Sequence, residues 1–140
     1  MKKFNMALIA MILMAAFMLS ACSASVTTAN YQDINMASAV DEATYEPITV
    51  TDVFATDTPI IFLTAKLANA PEETMAGAEW YYMDGDEEVF IDSVEVESVD
   101  TTTSLVFSLS IPYDGWPVGD YMVKLFIDGK YDQTVNFSVE

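Results

Sequence analysis

Alternation of apolar and polar side chains is the feature that most constrains the fold of this chain. It begins near Ile48 and continues to the C-terminus, as in residues 105–109, where Leu, Phe and Leu share one face and Val and Ser the other. Successive side chains of a β-strand point to opposite faces, so this alternation predicts half-buried strands. The same region shows no helical period. The sequence therefore predicts an all-β domain over residues 48–140.

Turn-forming residues separate the alternating segments at intervals of roughly 8–12 residues, the spacing typical of β-sandwiches and barrels. Two Asp-Gly pairs, Asp84-Gly85 and Asp128-Gly129, are strong hairpin signals. The second pair stands between two long alternating segments and predicts a type I′ turn. Seven or eight antiparallel strands are expected in all.

Two features of these strands resemble immunoglobulin-like domains. Trp80 lies midway along the third predicted strand, where such domains bury a tryptophan. Gly119-Asp120-Tyr121 begins the penultimate strand, where they often have a tyrosine corner. The resemblance implies an immunoglobulin-like antiparallel β-sandwich of seven to eight strands, without the cysteine pair that joins the sheets of antibody domains.

The N-terminal segment has a different pattern. Lys2 and Lys3 precede an unbroken apolar run over residues 6–18, and small residues follow. A basic start, a short apolar run and small residues are typical of a secretory signal peptide, which forms a helix. The run is shorter than the roughly 20 residues that span a membrane.

The end of this segment, Leu19-Ser20-Ala21-Cys22, resembles the lipobox of bacterial lipoproteins. The resemblance implies cleavage before Cys22 and acylation of its thiol. Two or more acyl chains anchor a protein firmly to a bilayer. The implied location is the cell membrane or the outer membrane, with the protein facing the periplasm or the cell exterior.

Residues 22–47 are small, polar or acidic and sustain no period of 2 or 3.6. After the lipidated cysteine they are predicted to form a flexible acidic tether, with a reach of about 25–30 Å. The predicted organisation is thus a cleaved signal peptide (1–21), a lipidated tether (22–47) and a β-sandwich (48–140).

Composition excludes several kinds of site. The chain has 22 acidic residues, 5 lysines, no arginine, no histidine and one cysteine, for a net charge of −17. A histidine-based catalytic triad, a histidine zinc site and an internal disulfide are therefore absent. The charge argues against binding to a phosphate backbone. We expect no catalytic residues, no cofactor, no metal and no nucleic-acid partner.

The acidic run over residues 84–88 is the densest cluster of carboxylates. The calcium-loop pattern requires glycine at its sixth position, where Val89 stands. A charged hairpin tip explains the run better, and a weak calcium site is left open.

Strand parity identifies a candidate partner-binding patch. If Trp80 faces the core, then Tyr81, Met83, Met122 and Phe126 face outward on strands that neighbour each other in an immunoglobulin-like order. Exposed aromatic and methionine side chains are typical of partner surfaces. The alternative is that the tether, or strands within residues 87–99, cover this patch.

Trp116, in the loop over residues 112–120, is a second candidate contact, for a sugar or a peptide. Its alternative role is to close the open end of the sandwich.

Together these features predict a lipid-anchored, extracytoplasmic binding or interaction module without catalytic activity. Its partners would be the membrane, through Cys22, and an envelope or extracellular protein. The alternatives are a structural or accessory subunit of a cell-envelope complex and a small inhibitor of secreted proteases, which would present the loop over residues 112–120.

Overall fold

The computed structural model describes residues 27–140, and these residues form nine strands and no helix. The predicted signal peptide and the lipobox with Cys22 lie outside the described residues. The strands are β1 (Asn30–Val40), β2 (Pro47–Val50), β3 (Val53–Phe54), β4 (Ile60–Ala68), β5 (Met75–Asp84), β6 (Glu87–Glu97), β7 (Thr102–Ser110), β8 (Gly119–Ile127) and β9 (Lys130–Val139). The all-β prediction is confirmed, with nine strands where seven or eight were expected. Within residues 27–140, no helix could cross a membrane.

The strands form two sheets in a sandwich-like arrangement. One sheet has four strands in the order β2-β1-β4-β7, and the other has five in the order β3-β9-β8-β5-β6. Neighbouring strands are antiparallel, except that the short β3 runs parallel to β9. The β8–β9 hairpin turns at Asp128 and Gly129, whose φ angles of 50° and 76° are both positive, as a type I′ turn requires.

The core lies between the sheets and consists of the inward-facing side chains of the alternating segments. Trp80 on β5 is 1% exposed and packs edge-on against Phe137 of β9, with ring centroids 6.0 Å apart. The other fully buried large side chains come from both sheets: Phe107, Ile61, Leu63, Leu67, Leu125, Val123 and Val139. Burial of this apolar surface is the main stabilising contribution to the fold.

Residues 30–40 correct the predicted tether, because they form β1 inside the four-stranded sheet. Tyr31 and Met36 are buried in the core. The Tyr31 hydroxyl crosses between the sheets and donates a hydrogen bond to the Phe126 carbonyl oxygen at 2.7 Å. Burial is the largest cause that raises the pKa of Tyr31 above its usual value, so the phenol stays a donor. The folded domain therefore includes β1.

A β-bulge interrupts the alternating pattern of β1, so the sequence pattern does not reveal this strand. The pairing of β1 with β4 shifts register between Gln32 and Asn35, where Asp33 has a φ of 50°. A bulge adds a residue and reverses the parity of the strand beyond it. Tyr31 and Met36 therefore both point inward although they are an odd number of residues apart, and no sustained period of two is visible.

The first predicted strand, residues 48–54, is also divided. β2 belongs to the four-stranded sheet and β3 to the five-stranded sheet, so the chain changes sheets between Val50 and Val53. The Thr51 side chain stabilises this change: its hydroxyl donates to the Val53 carbonyl at 2.8 Å and accepts from the Val53 N–H at 3.2 Å. In contrast, the strands predicted within residues 87–99 form one long strand, β6.

Candidate binding face of the five-stranded sheet

The four residues of the predicted patch lie together on the outer face of the five-stranded sheet, the side turned away from the four-stranded sheet. Tyr81 on β5 stands directly opposite Met122 on β8, and Phe126 stands opposite Gly77. Met83 lies two residues beyond Tyr81 on the same face, as the period of a strand requires. The structure thus brings the patch residues onto neighbouring strands.

The patch is half-buried rather than exposed, which agrees in part with the alternative that residues 87–99 cover it. Met122 is only 9% exposed, and the other three side chains are partly covered. The Tyr81 ring packs edge-on against Phe90 of β6 at 5.7 Å, and Phe126 packs against Tyr131 of β9 at 6.1 Å. Side chains of the flanking strands therefore cover the patch, and the exposed apolar surface lies further out, on β6.

Polar and charged side chains at the centre of this face form ion pairs and hydrogen bonds with one another. The Lys124 ammonium contacts Glu88 Oε2 at 2.6 Å and lies 4.8 Å from the centre of the Tyr81 ring. The Tyr81 hydroxyl donates to Glu79 Oε2 at 2.6 Å, and this hydrogen bond is the main cause that raises the pKa of Tyr81 to about 12. The centre is therefore occupied by internal contacts.

A concavity of about 480 Å³, which we call the Gly77 cleft, lies on the same face beside this centre. Gly77 forms its floor, because a residue without a side chain stands between Glu95 on β6 and Phe126 on β8. Glu79 lines the cleft as well. The Glu95 side chain is exposed, and its carboxylate has no hydrogen-bond or ion-pair partner among residues 27–140. The cleft thus combines an aromatic wall with two carboxylates.

A second concavity, of about 450 Å³, lies at the other end of the sheet and includes Asp52, Asp120 and Met83. It too is acidic, and it is also lined by Tyr121 and Phe137, whose side chains are buried in the core. The outer face therefore offers two acidic concavities, and the Gly77 cleft is the one that has a glycine at its base.

Negative charge dominates the described part of the chain. All 22 carboxylate side chains and only three lysines belong to residues 27–140. Lys66 contacts both Asp33 and Glu46 at 3.2 Å, and Lys124 contacts Glu88, so two of the three lysines are paired. Most carboxylates therefore have no cation near them, and the domain produces a strongly negative potential.

A loop residue that binds a ligand would be exposed, but the Trp116 side chain is not. It is buried, its ring lies edge-on to Tyr121, and its indole Nε1 donates to the Thr58 carbonyl oxygen at 2.6 Å. This placement matches the alternative role, in which the tryptophan closes the end of the sandwich. The candidate contact at Trp116 is therefore corrected.

The predicted hairpin tip over residues 84–88 joins β5 to β6, with Asp84 opposite Glu87. Among the described residues, no three Asp, Glu, Cys or His side chains are grouped as a metal site would require. One member of the run, Glu88, contacts Lys124 instead.

Sequence reasoning missed the Gly77 cleft and the exposed side chains of β6. The sequence carried one signal for the cleft, a glycine inside an alternating segment. Such a glycine often marks a close approach of backbone or of a partner. The segment Met75–Asp84 carries such a glycine between two alanines.

Comparisons with known proteins identify a similar fold but no matching family. No family description matches the sequence, and no curated protein matches it. The fold is similar to part of the alkylpurine DNA glycosylase AlkC of Pseudomonas fluorescens, solved bound to DNA containing an abasic site analog, with a TM-score of 0.53 at 9% identity. The match covers 81% of this chain but only 31% of the glycosylase. At this identity, the likeness shows the fold alone.

This neighbour contradicts two functional predictions. A similar fold forms part of a DNA glycosylase, which contradicts the predicted role as an interaction module, together with its envelope-subunit and inhibitor alternatives. The glycosylase is bound to DNA, which contradicts the exclusion of nucleic acid as a partner. Acidic composition is therefore insufficient to exclude a nucleic-acid-related role, and nucleic acid must be tested directly.

Proposed function

We propose that the described domain recognises a basic protein segment, and that the Gly77 cleft receives a lysine or arginine side chain of that segment. The observation that carries this proposal is the cleft itself, where Glu79 and Glu95 flank an aromatic wall over a glycine floor. A cation beside Phe126 would gain cation–π attraction, and the carboxylates would supply ion pairs.

The small free energy of each exposed contact explains why a whole segment, rather than one side chain, is the expected ligand. An exposed ion pair contributes about 0–1 kcal/mol, and an exposed cation–π contact contributes about 0.5–1 kcal/mol. One lysine in the cleft would therefore bind weakly. Several basic residues along the face would add such contributions, and the net charge of the domain would accelerate their approach.

Nucleic acid is the alternative ligand that the test must separate. The glycosylase with the similar fold is bound to DNA. Against direct binding, the described residues carry 22 carboxylates and three lysines. Duplex DNA carries about one negative charge per 1.7 Å of its axis, so the two would repel. Proteins that bind nucleic acid commonly carry basic segments, which are the ligand chemistry proposed here.

We also propose that the sandwich is immunoglobulin-like. The Tyr121 hydroxyl donates to the Pro117 carbonyl oxygen at 2.7 Å, which is the contact that defines a tyrosine corner. Burial raises the pKa of Tyr121 to about 12, so this donor stays protonated at neutral pH. The buried Trp80 at mid-strand supports the same proposal.

The first test is a titration of the domain with a fluorescent lysine- and arginine-rich peptide at low and at physiological salt. Replacing Glu79→Gln and Glu95→Gln together is expected to raise the Kd about fivefold or more, because two ion pairs are lost. The matched control is Glu42→Gln with Asp114→Asn, which removes the same charge from exposed positions outside the cleft. The control should change the Kd less than twofold.

A second variant tests the shape of the cleft at constant charge. A Cβ added at Gly77 would lie 3.4 Å from the Phe126 Cβ, an ordinary contact, so Gly77→Ala should fold and weaken binding by filling the floor. Equal losses for the cleft pair and the control pair would contradict the proposal, since binding would then depend on net charge alone. Tighter binding of duplex DNA than of the peptide at physiological salt would also contradict it.

Finally, we propose that Cys22 is acylated and attaches the chain to a membrane. The support is the Leu19-Ser20-Ala21-Cys22 motif after a short apolar run. Cells that express the full chain should incorporate labelled palmitate into it, and Cys22→Ala should abolish the label. Ser20→Thr, which changes a neighbouring residue and leaves the thiol, serves as the control. Equal labelling of wild type and Cys22→Ala would contradict acylation at this position.

A further inference from the structure

β6 is the free edge of the five-stranded sheet. It is 11 residues long, and β5 is its single neighbour in the sheet order. In an antiparallel sheet, alternate residues of an edge strand point their N–H and C=O groups away from the sheet. β6 therefore presents a row of backbone donors and acceptors that no other described strand pairs.

The side chains of β6 are accessible on both faces of the sheet. Every residue of the strand is exposed except Val96, which is half-buried. The exposed set includes apolar side chains, with Phe90 at 56% and Val94 at 38%. The four-stranded sheet therefore does not cover most of β6. Exposed apolar side chains are unusual on an edge strand.

One half of β6 has the regular geometry that strand addition requires. Its pairing with β5 shifts register between Phe90 and Asp92, a β-bulge that interrupts the first half. From Asp92 to Glu97 the pairing is continuous. In this half, Glu95 lies opposite Gly77, so the regular edge borders the Gly77 cleft directly.

The two faces of this half differ in chemistry. Glu95 and Glu97 stand opposite outward-facing residues of β5, whereas Val94 and Val96 stand opposite the buried Ala78 and Ala76. From Ser93 to Glu97, Ser93 and the two carboxylates therefore line one face and the valines line the other, with Asp92 at the end of the valine face, opposite Trp80. An added strand would match this edge if basic residues alternated with apolar residues along it.

We propose that an extended segment of alternating basic and apolar residues adds to β6 beside Asp92–Glu97 as a sixth strand. This inference rests on the proposed recognition of a basic segment and specifies how the segment binds. Backbone hydrogen bonds to the edge supply affinity, and basic side chains reach Glu95, Glu97 and the cleft.

Charge complementarity selects this occupant over a second copy of the chain. Antiparallel pairing of two β6 strands would bring the acidic residues of one copy next to those of the other, and the described parts carry 22 carboxylates against three lysines each. Like charges directly opposite each other destabilise a sheet. A basic strand meets the same carboxylates with opposite charge.

The experiment uses a capped peptide of alternating lysine and valine residues and two N-methylated versions of it. Each version is methylated at every second residue, one on the lysines and one on the valines, so that each loses one row of backbone donors and keeps its charge. The unmodified peptide is expected to bind, and one methylated version should bind at least tenfold more weakly. Exchange of β6 amides should slow only with the peptides that bind tightly.

The outcomes separate this inference from the proposed function. Equal binding of all three peptides, with the loss on Glu79→Gln/Glu95→Gln intact, would overturn strand addition and leave recognition of basic segments standing. Failure of the unmodified peptide to bind would overturn both. A dimer of the protein that forms through β6 and that the peptide does not dissociate would assign the edge to a second copy and overturn the inference.

Discussion

Tyr31→Ala is expected to lower the free energy of unfolding by about 3–5 kcal/mol, the usual cost of truncating a large buried aromatic residue. The Tyr31 side chain is buried in the core, and its hydroxyl reaches the Phe126 carbonyl oxygen on the opposite sheet at 2.7 Å. The substitution would remove apolar burial and would leave that partly buried carbonyl without this donor. Urea denaturation of the protein, followed by intrinsic fluorescence, measures the change.

The matched control is Tyr113→Ala, because Tyr113 is fully exposed in the loop between β7 and β8. It should change the free energy of unfolding by no more than about 0.5 kcal/mol. If Tyr31→Ala behaved like this control, residues 30–40 would be the flexible tether that the sequence alone suggests, and β1 would not belong to the folded domain.

Trp80→Ala should cost about 3–5 kcal/mol as well, because the indole is 1% exposed at the centre of the core. Trp80→Phe should cost far less, about 1–2 kcal/mol. The indole Nε1 has no hydrogen-bond acceptor among the described residues, so phenylalanine would remove a buried unsatisfied donor and offset part of the lost packing.

The pair of Trp80 variants separates packing from hydrogen bonding. Equal losses for Trp80→Ala and Trp80→Phe would contradict the account, since they would show that the indole nitrogen makes a stabilising contact. Calorimetric unfolding of both variants against wild type gives the comparison, with fluorescence from Trp116 retained as a second probe.

The C-terminal hairpin was predictable because its local signals agree with each other. Its two strands alternate without interruption, and Asp128-Gly129 supplies the positive φ angles that its turn needs. The all-β class and the sandwich-like packing follow from the same alternation in the other segments.

β1 and the division of the first predicted strand were not predictable from local pattern. A bulge near Asp33 reverses the parity of β1, and a change of sheet after Val50 divides the next segment. Both depend on tertiary pairing, which a single sequence does not display.

The candidate site was predictable only in part. Parity placed Tyr81 and Phe126 on one face, but their exposure depends on Phe90 and Tyr131, which reach over them from neighbouring strands. The Gly77 cleft depends on three strands meeting at one position, with Glu95 and Phe126 on either side. Strand order, rather than strand pattern, creates this site.

Amide chemical-shift mapping during the titration with the lysine- and arginine-rich peptide tests the central claim most directly. The account predicts that the largest shifts cluster on β5, β6 and β8 around Gly77, Glu95 and Phe126. Shifts of equal size at the distant carboxylates Glu42 and Asp114, or shifts centred on the four-stranded sheet, would contradict recognition at the Gly77 cleft.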